Sequence, residues 1–291
     1  MTDGRPPEQG TAREGQGWLA RIRWGGNALI ALYISILSGV VVGLQYDVAN
    51  PFHSTVAIEL LVPYGAFWRG LHFYSSQAFF LLLLMHMAVI IAEGNHGYRP
   101  AAWARLSATV PLAILLLFTG YVLRGDITGA SAGRIAEQIA LSLPVGGQWC
   151  NDLLFAITDN GLKRVYVQHL AGLVLFGAWC AWEHLRRYRA SWRNHLPLLC
   201  LLLAISLLMA APLDAERLGQ VHVAGPWFFL GLQELLRYLP PFWAGIALPG
   251  VFVLALMLVP AERQRQRPWL LFVGLWLLLY TVATLVALQR G

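Results

Sequence analysis

Apolar residues in this chain come in long runs instead of alternating with polar ones. Seven runs stand out: A, about 26–46; B, 69–92; C, 104–123; D, 163–187; E, 196–212; F, 242–260; and G, 268–288. A helix rises about 1.5 Å per residue, so about 20 apolar residues cross the roughly 30 Å of a bilayer core. The pattern predicts an all-α polytopic membrane protein with seven transmembrane helices. It divides into a polar tail and interfacial segment over 1–24, a four-helix bundle A–D over 25–190, and a three-helix region E–G over 191–291. Two connections are long, 124–162 and 213–241. They hold part-apolar, part-charged pieces, "AGRIAEQIALSL" and "WFFLGLQELLRYL", that read as short amphipathic helices at the interface.

Composition agrees: 57% of the 291 residues are hydrophobic and 12% charged, about half the charge of a soluble domain. The net charge of +6 could suggest nucleic acid, but its placement argues otherwise. Arg5, Arg13, Arg21 and Arg23 precede A. Arg99 and Arg105 lie between B and C, Arg186, Arg187, Arg189 and Arg193 between D and E, and Arg263, Arg265 and Arg267 between F and G. That is 13 of the 21 cations, all on one side if seven helices alternate. The positive-inside rule makes that side cytoplasmic, with the N-terminus inside and the C-terminus outside. Residues 1–17 hold no apolar core of a cleavable signal peptide. The three Cys have neither C-x-x-C nor C-x-x-C-H spacing, which argues against a Cys-based zinc site and against ordinary covalent haem attachment.

Ionisable groups inside a membrane are costly and mark function. B carries His72 and His86, 14 apart; D carries His169 and His184, 15 apart. Within each helix the two imidazoles share a face and lie roughly 21–22 Å apart along the axis. B and D run in the same direction, so His72 matches His169 in depth and His86 matches His184. Two His at each of two depths on facing helices is what two stacked bis-imidazole haems need. A zinc or copper site would need all four to converge at one depth, which that separation forbids. Arg69 and Arg164 precede the outer His of each helix and could pair with haem propionates; the bland alternative is a cationic helix-end anchor. Gly25 and Gly39 on A repeat the 14-residue period and would let the backbone approach a porphyrin edge.

These residues resemble cytochrome b, the membrane subunit of quinol–cytochrome c and plastoquinol–plastocyanin oxidoreductases. "RGLH" with His86 looks like the family's R-x-x-H and second ligand of its second helix. "TGYVLRG", which contains Gly120, looks like its G-Y-V-L-P-W-G, and "LKRVYVQH" looks like its fourth-helix entry. The spacing of 15 is similar to the plastid-type protein, and E–G look like its partner subunit IV fused on. The resemblance implies two non-covalent haem b groups, quinone as substrate, surrounding lipid, and a hetero-oligomeric complex whose dimerisation stays open. It implies an iron–sulfur or c-type cytochrome subunit as outer-face exchange partner.

The chain departs from the family at the outer quinol site. "GPWF" at 225–228 stands where the family has P-E-W-Y, so the acid and the tyrosine hydroxyl are absent; Arg124-Gly125 replaces a Pro-Trp, and Leu106 stands where a glycine is expected. Asp126 and Glu234 are the candidate substitute proton acceptors, each weighed against a solvated interfacial carboxylate. His195 and Arg193 in the D–E loop are the candidates for an inner quinone site, each weighed against ordinary loop duty. A non-enzymatic haem-bearing anchor that wires an outer multihaem or iron–sulfur assembly to the membrane is the alternative. A proton-coupled transporter would need broken helices and midplane acids, which B and D lack.

Overall fold

The computed structural model describes residues 22–93, 97–157, 161–216 and 223–290. The expected polar tail falls outside the described residues up to position 21. All regular structure among the described residues is helical. The helices are α1 Trp24–Gly43, α2 Pro51–Leu60, α3 Gly65–Glu93, α4 Pro100–Leu123, α5 Ile127–Leu141, α6 Gly147–Leu154, α7 Leu162–Leu185, α8 Trp192–Leu208, α9 Leu230–Leu235, α10 Trp243–Met257 and α11 Arg263–Arg290.

Among these, α1, α3, α4, α7 and the 264–290 stretch of α11 are long and apolar enough to cross a membrane. They correspond to A, B, C, D and G. E and F form shorter apolar helices, α8 and α10. E stops early because Met209 turns extended, φ −125° and ψ 125°, ahead of Pro212. The expected amphipathic pieces of the long connections fold as α5 and as a 3₁₀ turn at Trp227–Phe229 leading into α9.

Local chemistry explains the helix starts. Pro51 and Pro100 sit in the first turns of α2 and α4, where a missing N–H costs nothing. Asp126 caps α5 by accepting from the Gly129 N–H at 2.9 Å. Between α4 and that cap, Gly125 has φ +71°, and a Cβ there would fall 2.5 Å from the Phe52 nitrogen. Glycine is therefore required on both conformational and steric grounds.

Small and aliphatic side chains join α1, α3, α4 and α7 into a bundle. Ala31 of α1 and Leu71 of α3 share a cluster with Leu202 of α8. Phe80 meets Ala113 and Leu117 of α4, and Leu112 meets Leu173 and Cys180 of α7. Ala255 and Leu256 of α10 join Val273 of α11 against Met87 and Ile91 of α3. The outward faces keep exposed leucines, Leu271, Leu275, Leu278 and Leu285 on α11 among them. An apolar face of that length suits lipid.

Candidate cofactor site

α3 and α7 bring their histidines together in two pairs. His72 and His169 have ring centroids 6.1 Å apart, with planes at 88°. His86 and His184 are 6.0 Å apart, with planes at 46°. Two metal–nitrogen bonds of about 2 Å and two half-rings fill such a gap with one metal ion between.

The spacing of 15 on α7 would leave its two imidazoles about 60° out of phase on a regular helix. α7 contains a π turn, Gln168–Gly172, that begins one residue before His169. A π turn takes up an extra residue. The 15 residues then span the angle that 14 span on α3, and the two rows stay opposed.

Hydrogen bonds orient the rings. His72 Nδ1–H donates to the Ser35 carbonyl of α1 at 2.8 Å. Because a carbonyl only accepts, the proton sits on Nδ1 and Nε2 is bare. His169 Nδ1 lies 2.9 Å from Thr119 Oγ1. That hydroxyl spends its proton on the Leu115 carbonyl at 2.8 Å, so it accepts from His169. His184 Nδ1 lies 2.8 Å from the Tyr98 hydroxyl, and Tyr188 stacks on the ring with centroids at 4.7 Å. A donor bond from one ring nitrogen fixes the tautomer that leaves the other free for a metal.

The glycines seat these rings. A Cβ at Gly39 would fall 2.7 Å from His72 Cε1; at Gly25, 2.9 Å from His86 Cε1; at Gly120, 3.0 Å from His169 Cε1. The nearest obstacle in each case is an imidazole, where the sequence had suggested a porphyrin edge. Gly26, beside Gly25, does the same for His195: a Cβ there would lie 2.6 Å from Cε1. His195 is buried, and its Nδ1–H donates to Asn27 Oδ1 at 2.6 Å. It therefore adjoins the His86–His184 end.

At the His72–His169 end lies a cavity of about 230 Å³, lined by both rings, Gly39, Gly120, Arg69 and Arg124 among others. Tyr46 lines it too, its hydroxyl donating to the Leu123 carbonyl at 2.6 Å.

The two expected arginines part company. Arg69 lines the cavity, but its guanidinium pairs with Glu59 and donates to the Ala211 and Pro212 carbonyls. Arg164 is exposed outside the cavity wall and donates to the Asp152 carbonyl at 2.9 Å. Arg124, which the sequence offered only as part of the replacement for the family's Pro-Trp, is the second cation of the wall. It pairs with Asp126 and lies 3.3 Å from Asp214. Its buried Nε has no hydrogen-bond partner.

Both candidate proton acceptors are committed elsewhere, and neither is a solvated surface carboxylate. Asp126 is 0% exposed. It pairs with Arg124, caps α5, and accepts the Asp214 N–H at 3.1 Å. Glu234 is buried, 2.8 Å from Arg290 and 3.3 Å from Arg237, and accepts from the Tyr238 hydroxyl at 3.1 Å. Removing one partner of a buried ion pair costs about 3–5 kcal/mol, so their first duty is structural. Among the described residues no three His, Cys, Asp or Glu gather around one point.

The residues fit a bis-imidazole haem: two facing pairs of rings, Nε2 left bare on His72 and His169, glycine backbone beside three of the four rings, a cavity at one pair, and an orphaned cationic donor in its wall. Sequence reasoning missed Ser35, Thr119, Tyr98, Asn27, Gly26 and Arg124. Thr119 and Arg124 lie within the "TGYVLRG" motif and Gly26 adjoins Gly25, but no role followed from either signal.

Comparisons with known proteins converge. The family described as cytochrome b/b6/petB matches residues 19–186. Cytochrome b6 of Heliobacterium mobile is 28% identical over 158 residues, 52% of this chain and 74% of the relative. The menaquinol:cytochrome c reductase cytochrome b subunit of Bacillus subtilis is 26% identical over 167 residues, 54% of this chain and 75% of the relative. A chain of a hyperthermophilic respiratory Complex III shares the fold, with a TM-score of 0.64 and 19% identity, over 91% of this chain and 82% of that one. With a family match spanning more than half its length, and apolar helices around facing histidine rows, this chain is an integral membrane protein of the cytochrome b/b6 family.

Proposed function

We propose that this chain is the two-haem b subunit of a membrane quinol oxidoreductase complex, carrying electrons between an inner quinone site and an outer redox partner. The observation that carries the reading is the two facing imidazole pairs on α3 and α7. His72 and His169 would hold the outer haem, and His86 and His184 the inner one. When bound, each haem supplies reversible one-electron storage at its iron. The chain's own residues do the rest. Ser35 and Thr119 hold the tautomers of the outer ligands. Gly39, Gly120 and Gly25 let the rings lie close to backbone. Arg124, whose buried Nε has no hydrogen-bond partner, offers a donor to a propionate at the outer cavity, while the Arg69 guanidinium is held by Glu59. His195, its Nδ1 proton given to Asn27, keeps Nε2 bare to exchange a proton with an inner quinone.

The relatives named above include a menaquinol:cytochrome c reductase subunit. That supports a multisubunit setting and an iron–sulfur or c-type cytochrome partner outside. The aromatic residues that follow Pro226, beside the departure from the family's outer quinol motif, pack onto the outer end of α4. Phe229 meets Phe118 at 5.0 Å, and Phe228 joins the same cluster as Val122 and Ala136. Trp227 is tied to Gln77 at 2.9 Å. With Asp126 and Glu234 also committed, this favours one quinone site, on the inner side.

The test uses the purified complex and a soluble quinol. Quinol should reduce both b haems, and Glu234→Gln should leave the rate unchanged with both haems bound. His195→Ala should slow it on the order of 10²–10⁴, the usual worth of a positioned proton-transfer group. A large loss in Glu234→Gln with both haems still bound would instead indicate a working outer site.

The same reading puts the arginine-rich loops inside. A cysteine at Gln264→Cys should resist an impermeant thiol reagent applied to intact cells and react once they are opened. Rapid labelling of intact cells would reverse the orientation.

A further inference from the structure

We infer that Tyr98 is a positioning residue for the inner haem, acting through His184 to set that haem's reduction potential. The inference rests on the proposed ligand role of His184. The Tyr98 hydroxyl lies 2.8 Å from His184 Nδ1. If Nε2 binds iron, the ring's one remaining proton is on Nδ1, so the imidazole donates and the phenol oxygen accepts. That bond brings the connection after α3 onto a ligand of α7, 86 residues away in sequence.

Two of the other ligands are held differently. His72 donates to a backbone carbonyl, which no substitution removes, and His169 to a threonine on the neighbouring helix. Both of those acceptors are within the bundle. Tyr98 lies outside α3 and α4, on the segment joining them. Of these three acceptors it is the one placed in a connecting loop.

An acceptor on Nδ1–H raises the basicity of the ligating imidazole. A more basic ligand favours the oxidised iron and lowers the potential. Removing the phenol oxygen while keeping the ring should therefore raise the inner potential. The ring of Tyr188 stays stacked on His184 in either case, so packing alone does not move the result.

The experiment is a potentiometric titration of the complex carrying Tyr98→Phe, with His184→Ala beside it. The inner b haem of Tyr98→Phe should become easier to reduce by about tenfold in equilibrium constant, about 59 mV for one electron, with the outer haem unmoved. An unchanged inner potential, or an equal shift of both haems, overturns the inference. Loss of the inner haem alone from Tyr98→Phe also supports it, because the ring volume is kept and only the hydroxyl has gone. His184→Ala separates the two levels of the argument: if it keeps both haems, the ligand reading itself fails, whatever Tyr98→Phe does.

Discussion

His86→Ala should remove one of two b-type haem signals from the purified protein and leave the other. The side chain has no redundancy: its partner His184 lies 6.0 Å away by ring centroid, and no third His, Cys, Asp or Glu is near enough to replace it among the described residues. His72 is 14 residues along the same helix, roughly 21 Å. At that separation two sites behave independently, so the outer pair should keep its ligand. The reduced-minus-oxidised band should fall to about half, with the remaining signal bis-imidazole and low-spin. His184→Ala should give the same spectrum, and His72→Ala the complementary one. Two full haem signals in His86→Ala would break the pairing, and loss of both would mean that one haem holds the bundle together for the other.

How much of this was legible depends on whether the information is local. The imidazole rows were, because 14 and 15 residues are near multiples of a helical turn and direction follows from alternation. What the sequence does not display is the device that reconciles 14 with 15. The π turn at Gln168–Gly172 has no compositional marker, since it depends on how α7 meets its neighbours. Gly25 and Gly39 were legible by period, but their neighbours were not: they seat imidazoles. The spans A, B, C, D and G form full-length helices, whereas E and F are shorter, since hydropathy counts apolar residues and does not see where backbone turns extended. The outer acids were the least legible. Asp126 and Glu234 read as candidate proton acceptors or solvated interfacial carboxylates, because their burial and their distant partners, Asp214 for Asp126 and Arg290 for Glu234, follow from tertiary contact. The same holds for Arg164 and Arg124: one carries the expected position on its helix, the other the expected place in the cavity.

Gly39→Leu should strip the outer haem while leaving the inner one. A Cβ at this position would lie 2.7 Å from His72 Cε1 and 2.9 Å from Nδ1, closer than real Cβ contacts come. The ring has little room to retreat. Its Nδ1 is tied to Ser35 of the same helix α1 at 2.8 Å, and His169 faces it 6.1 Å away. Either that bond breaks and the ring turns, or α1 moves off α3, where Ala31 and Leu71 are packed with Leu202. Overpacking of this kind costs about 1–3 kcal/mol. At about 1.4 kcal/mol per factor of ten, haem affinity at the outer pair should fall roughly 5- to 150-fold, and Gly39→Ala should fall toward the lower figure. Gly177 on α7 supplies the control, because a Cβ there meets nothing within 4 Å. Gly177→Ala should keep both haems and gain slightly from helix propensity. The measurement is haem per protein with the split between the two potentials. Should Gly39→Leu retain the outer haem at an unshifted potential, the approach of α1 to His72 would not be what positions that ligand.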